Sequence, residues 1–300
     1  MVALQQSGIS FDSYYASEIE SNAEKVSQQQ YPNIIRIGDV TKLDYKNSVL
    51  ITEKGNFNID NIDLLIGGSP CQGFTYAGFQ DGMITEEDIE ITSLETYLRY
   101  KEQGYKFKGQ SYLFWEYVRL LKQIKPKYFL LENVKMAKKW ENIITNALGV
   151  QPVLLNSADF SPQRRQRLYW ANFEIKQPTT INNQVLQDVV RTADNSHYHL
   201  SQKHLQGFMK SYKWTPNYLH EKSKPLLASY YKQPPHCPYI PCDKSKSGYR
   251  MLSPIECERL QGLPDNYTEG ISKTQRYKCL GNGWNVPTIV HIFVELKGKI

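Results

Sequence analysis

Short apolar runs separated by an amphipathic stretch set the strongest limit on how this chain can fold. The runs at Asp63–Ile66, Tyr128–Leu131, Val153–Leu155 and Leu168–Ala171 are too short for helices and are bounded by polar or turn residues, which predicts buried parallel strands. Between the first two lies Ser111–Lys125, where Leu113, Phe114, Tyr117, Leu120, Leu121 and Ile124 recur at helical spacing. Strand, helix, strand in that order calls for right-handed crossovers, so residues 1–172 are expected to form an α/β domain with a doubly wound, mostly parallel sheet. The C-terminal part reads as helical. Ser253-Pro254-Ile255-Glu256 is a capping box with proline at the first helical position, Gly262 stops that helix, and Pro287 opens a last one carrying Ile289, Val290, Ile292, Phe293 and Leu296. An apolar content of 40% is ample for a core, yet no run approaches the ~18 residues of a membrane span. The start, MVALQQSGISFDSYYASEIE, lacks the basic head and apolar stretch of a secretion signal. Five scattered cysteines do not make a disulfide framework, so a reduced, cytoplasmic protein without membrane association is expected.

Three segments carry residues suited to chemistry. In IDLLIGGSPCQGF a strand runs into Gly67-Gly68 and presents Cys71 just past its C-terminal end, where open α/β sheets bind ligands. Such a cysteine suits a nucleophile; the alternative is a small buried thiol. In YFLLENV a second strand ends at Glu132-Asn133, placing a carboxylate at the same sheet edge, where it either protonates or hydrogen-bonds a ring nitrogen or serves as a helix N-cap. In SPQRRQRLYW, Gln163, Arg165 and Arg167 alternate on one face of an extended segment with Arg164 opposite, either gripping phosphate or a base carbonyl or forming a surface salt-bridge ladder.

Charge is concentrated in one place. From Lys203 to Arg250 there are nine Lys/Arg, including Lys213 and Lys232, against Glu221 and Asp243, a net +7 compared with +6 for the whole chain. Aromatics interleave there, among them Phe208, Trp214, Tyr218, Tyr230 and Tyr239. Cations beside stackable rings suit a polyanion with bases, although a solvated lysine surface over packed tyrosines reads equally well. Cys237 and Cys242, beside His236, lack a second pair of ligands at zinc spacing, so no metal is expected.

Taken together and in order, SPCQGF, LLENV and SPQRRQR resemble the cytosine-5 DNA methyltransferases. RMLSPIECERLQGLPDNY and KCLGNGWNVPTIVHI resemble that family's last two blocks, and YYASEIE and GDV two of its cofactor blocks, so the similarity spans nearly the whole chain. The tryptophan in GNGWNVP and the run LFWEYVRLL are similar to the animal de novo branch, a subgroup also met in phages and their hosts. The resemblance implies the class I S-adenosylmethionine-dependent fold over residues 1–172, a small target-recognition region over 173–249, and helices over 250–300 that return to the catalytic domain. It implies that Cys71 attacks carbon 6 of a flipped-out cytosine, that Glu132 bonds ring nitrogen 3 and the amino group, and that Arg165 holds the carbonyl. Glu18 would hold the ribose of S-adenosylmethionine and Asp39 the adenine amino group. Ile19, Val40, Pro70 and Leu113 would line the pocket, with Asn282 and Trp284 closing it. Duplex DNA is the implied partner, met by Gln163, Arg167, Lys213, Lys232 and Arg250, with the protein acting as a monomer alongside a cognate restriction endonuclease.

The segment from Phe74 to Gly109 is expected to be a mobile loop, its acidic stretch Glu86–Glu90 held away from DNA. The family's opening strand and glycine loop have no counterpart before Glu18; MVALQQSGI reads as the helix that follows them, with Gly8 as its stop. A missing central strand would leave ladder groups unpaired on both neighbours. Two alternatives to DNA methylation remain: a catalytically silent DNA-binding relative, and an RNA cytosine methyltransferase of the same fold.

Overall fold

The computed structural model describes residues 1–74, 81–191, 198–211 and 214–300. In chain order the first half contains α1 (Val2–Gln6), β1 (Tyr15–Ala16), α2 (Ser21–Gln30), β2 (Ile35–Arg36), β3 (Asp44–Lys46), β4 (Val49–Thr52), β5 (Gly55–Asn58), β6 (Leu64–Gly68), α3 (Leu94–Glu102), α4 (Phe114–Ile124) and β7 (Tyr128–Val134). There follow α5 (Lys138–Leu148), β8 (Val153–Asn156), β9 (Gln166–Ala171), α6 (Gln202–Ser211), β10 (Tyr239–Pro241), β11 (Tyr249–Met251), α7 (Pro254–Leu260), α8 (Lys273–Asn282) and α9 (Val286–Val294).

The main sheet has the order β6-β7-β9-β8. Strand β7 alternates its side chains between two cores, as the period of 2 requires. Phe129 and Leu131 face α4 and α5, packing with Phe114, Val118, Trp140 and Ile144. Leu130 faces the opposite layer, with Leu4 of α1 and Ile289, Ile292 and Phe293 of α9. The sheet is therefore covered on both faces, an α/β/α sandwich as expected. Only β6 and β7 pair in parallel, however; β9 runs antiparallel to both β7 and β8. The connection from β8 to β9, Ser157–Arg165, is shorter than the roughly dozen residues a parallel crossover needs, so the chain doubles back and the sheet is mixed.

Strands β1 and β2 pair with each other alone, apart from the main sheet. Tyr14–Ser17 and Ile62–Gly68 both line one cavity of about 1840 Å³. In consequence β6, expected to be fully buried, is half-exposed along Leu64–Ile66. The helix read from MVALQQSGI is α1, stopped by Gly8 at φ +68°.

Residues 186–280 build a separate core. Leu200, Phe208, Leu226, Tyr230 and Tyr239 pack with Leu252, Cys257 and Leu260 around α7 and with Tyr277 and Leu280 of α8. A boundary at residue 250 falls inside this core; α9, rather than α7 or α8, packs on the sheet. The Ser253 capping box is formed, and Asn285 caps α9 one residue earlier than Pro287 suggested.

Of the segment expected to be a mobile loop after Phe74, residues 81–109 are packed on the domain in this structure, and residues 75–80 lie outside the described part. Met83, Ile91 and Tyr97 are buried beside Trp115 and Trp140, because this stretch carries its own apolar residues and the amphipathic α3. Gly82, at φ +69°, lies so close to Trp140 that a Cβ would fall 1.8 Å from the ring. Gly82→Ala is expected to lower stability by about 3 kcal/mol in urea denaturation. An unchanged midpoint would mean the segment is not packed as described.

Candidate active site

Two close approaches hold the end of β6. A Cβ at Gly67 would meet the Tyr117 ring at 2.6 Å, and one at Gly68 would meet the Trp284 indole at 2.9 Å, so the Gly-Gly pair lets α4 and the GNGWNVP segment close on the strand. Gly68 pairs with Glu132 across the ladder, so the loop bearing Cys71 leaves the sheet beside that carboxylate. Asn133 then ties the loop down, its Nδ2 donating to Ser69 Oγ at 3.0 Å and to the Ser69 carbonyl at 3.3 Å. Neither Glu132 nor Asn133 caps a helix; the N-cap of α5 is Ala137.

Cys71 is half-buried at the cavity wall. Burial pushes its thiol above the ordinary value of 9.0, with Glu132 pushing the same way and the Arg167 and Arg165 guanidiniums pulling down. Glu132 is 8% exposed and pairs with Arg167 Nε at 2.9 Å. Arg165 is 5% exposed, and burial lowers its pKa to about 10. Its Nη1 donates to the Leu226 carbonyl (3.2 Å), and its Nη2 to the carbonyls of Gly281 (3.3 Å) and Gly283 (3.1 Å). Arg165 therefore ties β9 to the 186–280 core and to the approach to α9, while its Nε is buried without a partner. The alternation read from SPQRRQR holds: Gln163 and Arg165 are buried, and Arg164 and Gln166 are exposed.

The remaining wall gathers every expected cofactor residue: Glu18, Ile19, Asp39, Val40, Pro70, Leu113, Asn282 and Trp284. Glu18 Oε1 accepts from the amides of Ile19 and Glu20, both at 2.8 Å, shaping an exposed turn. Lys278 of α8 pins that turn through Glu20 at 2.8 Å, a contact with no signal in the sequence. Asp39 Oδ1 caps a 3-10 turn, Val40–Lys42, accepting from the Thr41 amide and hydroxyl at 2.9 Å each.

This arrangement has relatives. The model of the C-5 cytosine-specific DNA methylases matches residues 1–298. The chain belongs to that family. It is 30% identical over 315 residues to the type II methyltransferase M1.ScrFI of Lactococcus lactis subsp. cremoris, covering 94% of this chain and 71% of the relative. To M.Bsp6I of Bacillus sp. (strain RFL6) it is 26% identical over 327 residues, covering 97% and 92%. The solved S. pombe Dnmt2 methyltransferase shares the fold, with a TM-score of 0.67, 16% identity, and coverage of 99% of this chain and 94% of that one. The protein is thus a C-5 cytosine DNA methyltransferase by family, using S-adenosylmethionine.

For such a methylase the expected DNA-contact residues fare unevenly. Lys232 is exposed, with its ammonium 5.7 Å from the Tyr231 ring centroid. Lys213 lies outside the described residues. Arg167 faces the cavity, paired with Glu132, rather than an outer surface. Gln163 is fully enclosed, and both polar atoms of its amide are buried without a partner. Arg250 is a correction: it is 6% exposed and forms a double ion pair with Glu256, both contacts at 2.8 Å, a core bond joining β11 to α7. Lys222 likewise donates inward, to the carbonyls of Ser161 (3.0 Å) and Asn182 (2.6 Å), and Lys224 to that of Thr215. The basic segment therefore presents fewer exposed cations than its +7 suggests. Lys203, Lys210, Lys232, Lys244 and Lys246 are the exposed ones among the described residues.

The thiol has a checkable pH response. Because burial raises its pKa, Cys71 alkylation by iodoacetamide is expected to climb about tenfold per pH unit and not to level off by pH 9. Glu132→Gln removes a charge that raises the thiol and releases Arg167, which lowers it, so alkylation at pH 8 should quicken several-fold. Mass spectrometry of the Cys71 peptide reads both; a slower reaction in the variant would contradict the assigned electrostatics.

Proposed function

We propose that this chain methylates carbon 5 of a cytosine extruded from duplex DNA, with Cys71 as nucleophile and Glu132 and Arg165 holding the base. One observation carries the reading: Cys71, Glu132, Arg165 and Arg167 share a single cavity with all eight residues expected to hold the cofactor.

The residues present fit S-adenosylmethionine. Carboxylates at Glu18 and Asp39 suit ribose hydroxyls and an adenine amino group, and Ile19, Val40, Pro70, Leu113 and Trp284 supply apolar wall. When bound there, the cofactor supplies an electrophilic methyl group. The protein's part is to make carbon 5 nucleophilic. Cys71 Sγ, as thiolate, bonds to carbon 6, and the displaced electron pair moves toward carbon 5 while Glu132 holds ring nitrogen 3 and the amino group. Arg165, with a buried Nε still without a partner, donates to the carbonyl oxygen and stabilises the charge that gathers there. Once carbon 5 has gained the methyl group and given up its proton to water in the open cavity, the electron pair of that carbon–hydrogen bond restores the 5,6 double bond, the Sγ–carbon 6 bond breaks and Cys71 leaves as thiolate. Extruding the base costs a few kcal/mol, which these contacts offset.

Exposed lysines of the 203–246 segment would meet phosphate. We read the protein as a cytoplasmic monomer, and the type II names of its relatives support a cognate restriction endonuclease as partner. Among the described residues no helix is long and apolar enough to cross a membrane.

Cys71→Ala is expected to abolish the covalent complex with 5-fluorocytosine DNA and to lower methyl transfer by at least about 10³-fold. An adduct that survives the substitution would remove Cys71 from the nucleophile's role. Tritium transfer from labelled cofactor is expected in duplex DNA and not in transfer RNA; label only in RNA would overturn the substrate.

A further inference from the structure

A buried carboxylate outside the cavity plays no part in the chemistry described above. Glu116 of α4 is 0% exposed. Its Oε1 accepts from the Tyr97 hydroxyl and from Lys101 Nζ, both at 2.5 Å, and its Oε2 from Arg119 Nε at 2.7 Å. Both cations reach past it to the same turn. Lys101 Nζ also donates to the Thr41 carbonyl at 3.2 Å, and Arg119 Nη2 to the carbonyls of Leu43 (2.7 Å) and Val40 (3.3 Å). A second strut runs from Arg119 Nη1 to Gln123 Oε1 (2.9 Å) and from Gln123 Nε2 to Asp44 Oδ1 (2.6 Å).

These carbonyls belong to the turn that Asp39 caps. A three-residue 3-10 turn has few bonds of its own, so its geometry depends on what grips it from outside. Here the grip comes from two cations with a common counter-ion. Arg119 and Glu116 lie one turn apart on α4, and Lys101 comes from α3.

We propose that Glu116 is a positioning residue for cofactor binding: it fixes Lys101 and Arg119 so that they hold the Asp39–Leu43 turn in its binding geometry before the ligand arrives. This rests on the reading that Asp39 and Val40 hold the adenosine end of S-adenosylmethionine. A turn already ordered adds no ordering cost when the ligand binds, whereas a loosened one does.

Glu116→Gln and Lys101→Met test it, with Asp39→Ala as the reference. Each of the first two is expected to raise KM for S-adenosylmethionine about tenfold while kcat at saturation stays within about twofold. The Kd of S-adenosylhomocysteine by calorimetry should rise in parallel. Amide exchange over residues 39–43 should quicken by a similar factor, with β7 unchanged, and Glu116→Asp should recover part of each loss. If Glu116→Gln does not fold, Lys101→Met carries the test, since Lys101 is 38% exposed and contributes only one strut. An unchanged KM and Kd in Lys101→Met and in folded Glu116→Gln overturns the proposal, as does a fall in kcat with KM unaltered. Asp39→Ala separates the two failures. If it raises KM while the others do not, only the positioning role falls; if it leaves KM unchanged, the cofactor reading of the turn falls and the proposal with it.

Discussion

The parallel ladder between β6 and β7 is the constraint on which the site depends. It puts Gly68 opposite Glu132, so two chain segments distant in sequence end side by side at one sheet edge. The loop bearing Cys71 starts from one strand and Glu132 sits on the other. A slip of one residue would turn Glu132 to the opposite face, among the α4–α5 core, and break its pairing with Arg167. The Gly67-Gly68 pair is part of the same constraint, because any larger residue would push Tyr117 or Trp284 off the strand.

Arg165 extends this arrangement to the rest of the molecule. Buried just before β9 and beside the cavity, it holds three carbonyls, one in the 186–280 core and two at the end of α8 and beyond. Gly281 allows the approach, its α-carbon so near Leu227 and Ala228 that a Cβ would lie 2.2 Å from their backbone. The 186–280 core is thus coupled to the cavity wall through backbone carbonyls. Glu116 plays a comparable part on the cofactor side, behind the wall rather than in it. Both charges are buried and held by several partners, as a charge kept out of water requires, with Arg165 Nε alone left without one.

Much of this was legible in the residues. The apolar runs located the four strands of the main sheet, the helical spacing after Ser111 located α4, and the Ser253 capping box located α7. The alternation in SPQRRQR put Gln163 and Arg165 on one face and Arg164 on the other, because a period of 2 is a property of extended chain; the fold decided which face is buried. Strand direction was not legible: an apolar run looks the same whichever way it points, and the short β8–β9 connection was the only cue that β9 turns back. The fate of the cations was not legible either. Arg250, Lys222 and Lys224 count as positive charge in composition, yet each donates inward to a carboxylate or a carbonyl. The acidic character of residues 86–90 similarly concealed a neighbouring stretch packed through Met83, Ile91 and Tyr97.

By itself the sequence determined the layered α/β architecture, the three chemistry-bearing segments and the family, because periodicity and ordered motifs are properties of the chain alone. Tertiary structure decided which of those residues meet. It gathered Cys71, Glu132, Arg165 and the residues expected to hold the cofactor around one cavity, withdrew Arg250 and Gln163 from the surface, and gave Glu116 a place behind the Asp39 turn. The reason is physical: whether a charged side chain serves solvent, ligand or core depends on which partners lie within about 3 Å, and those partners come from strands and helices far apart in the chain.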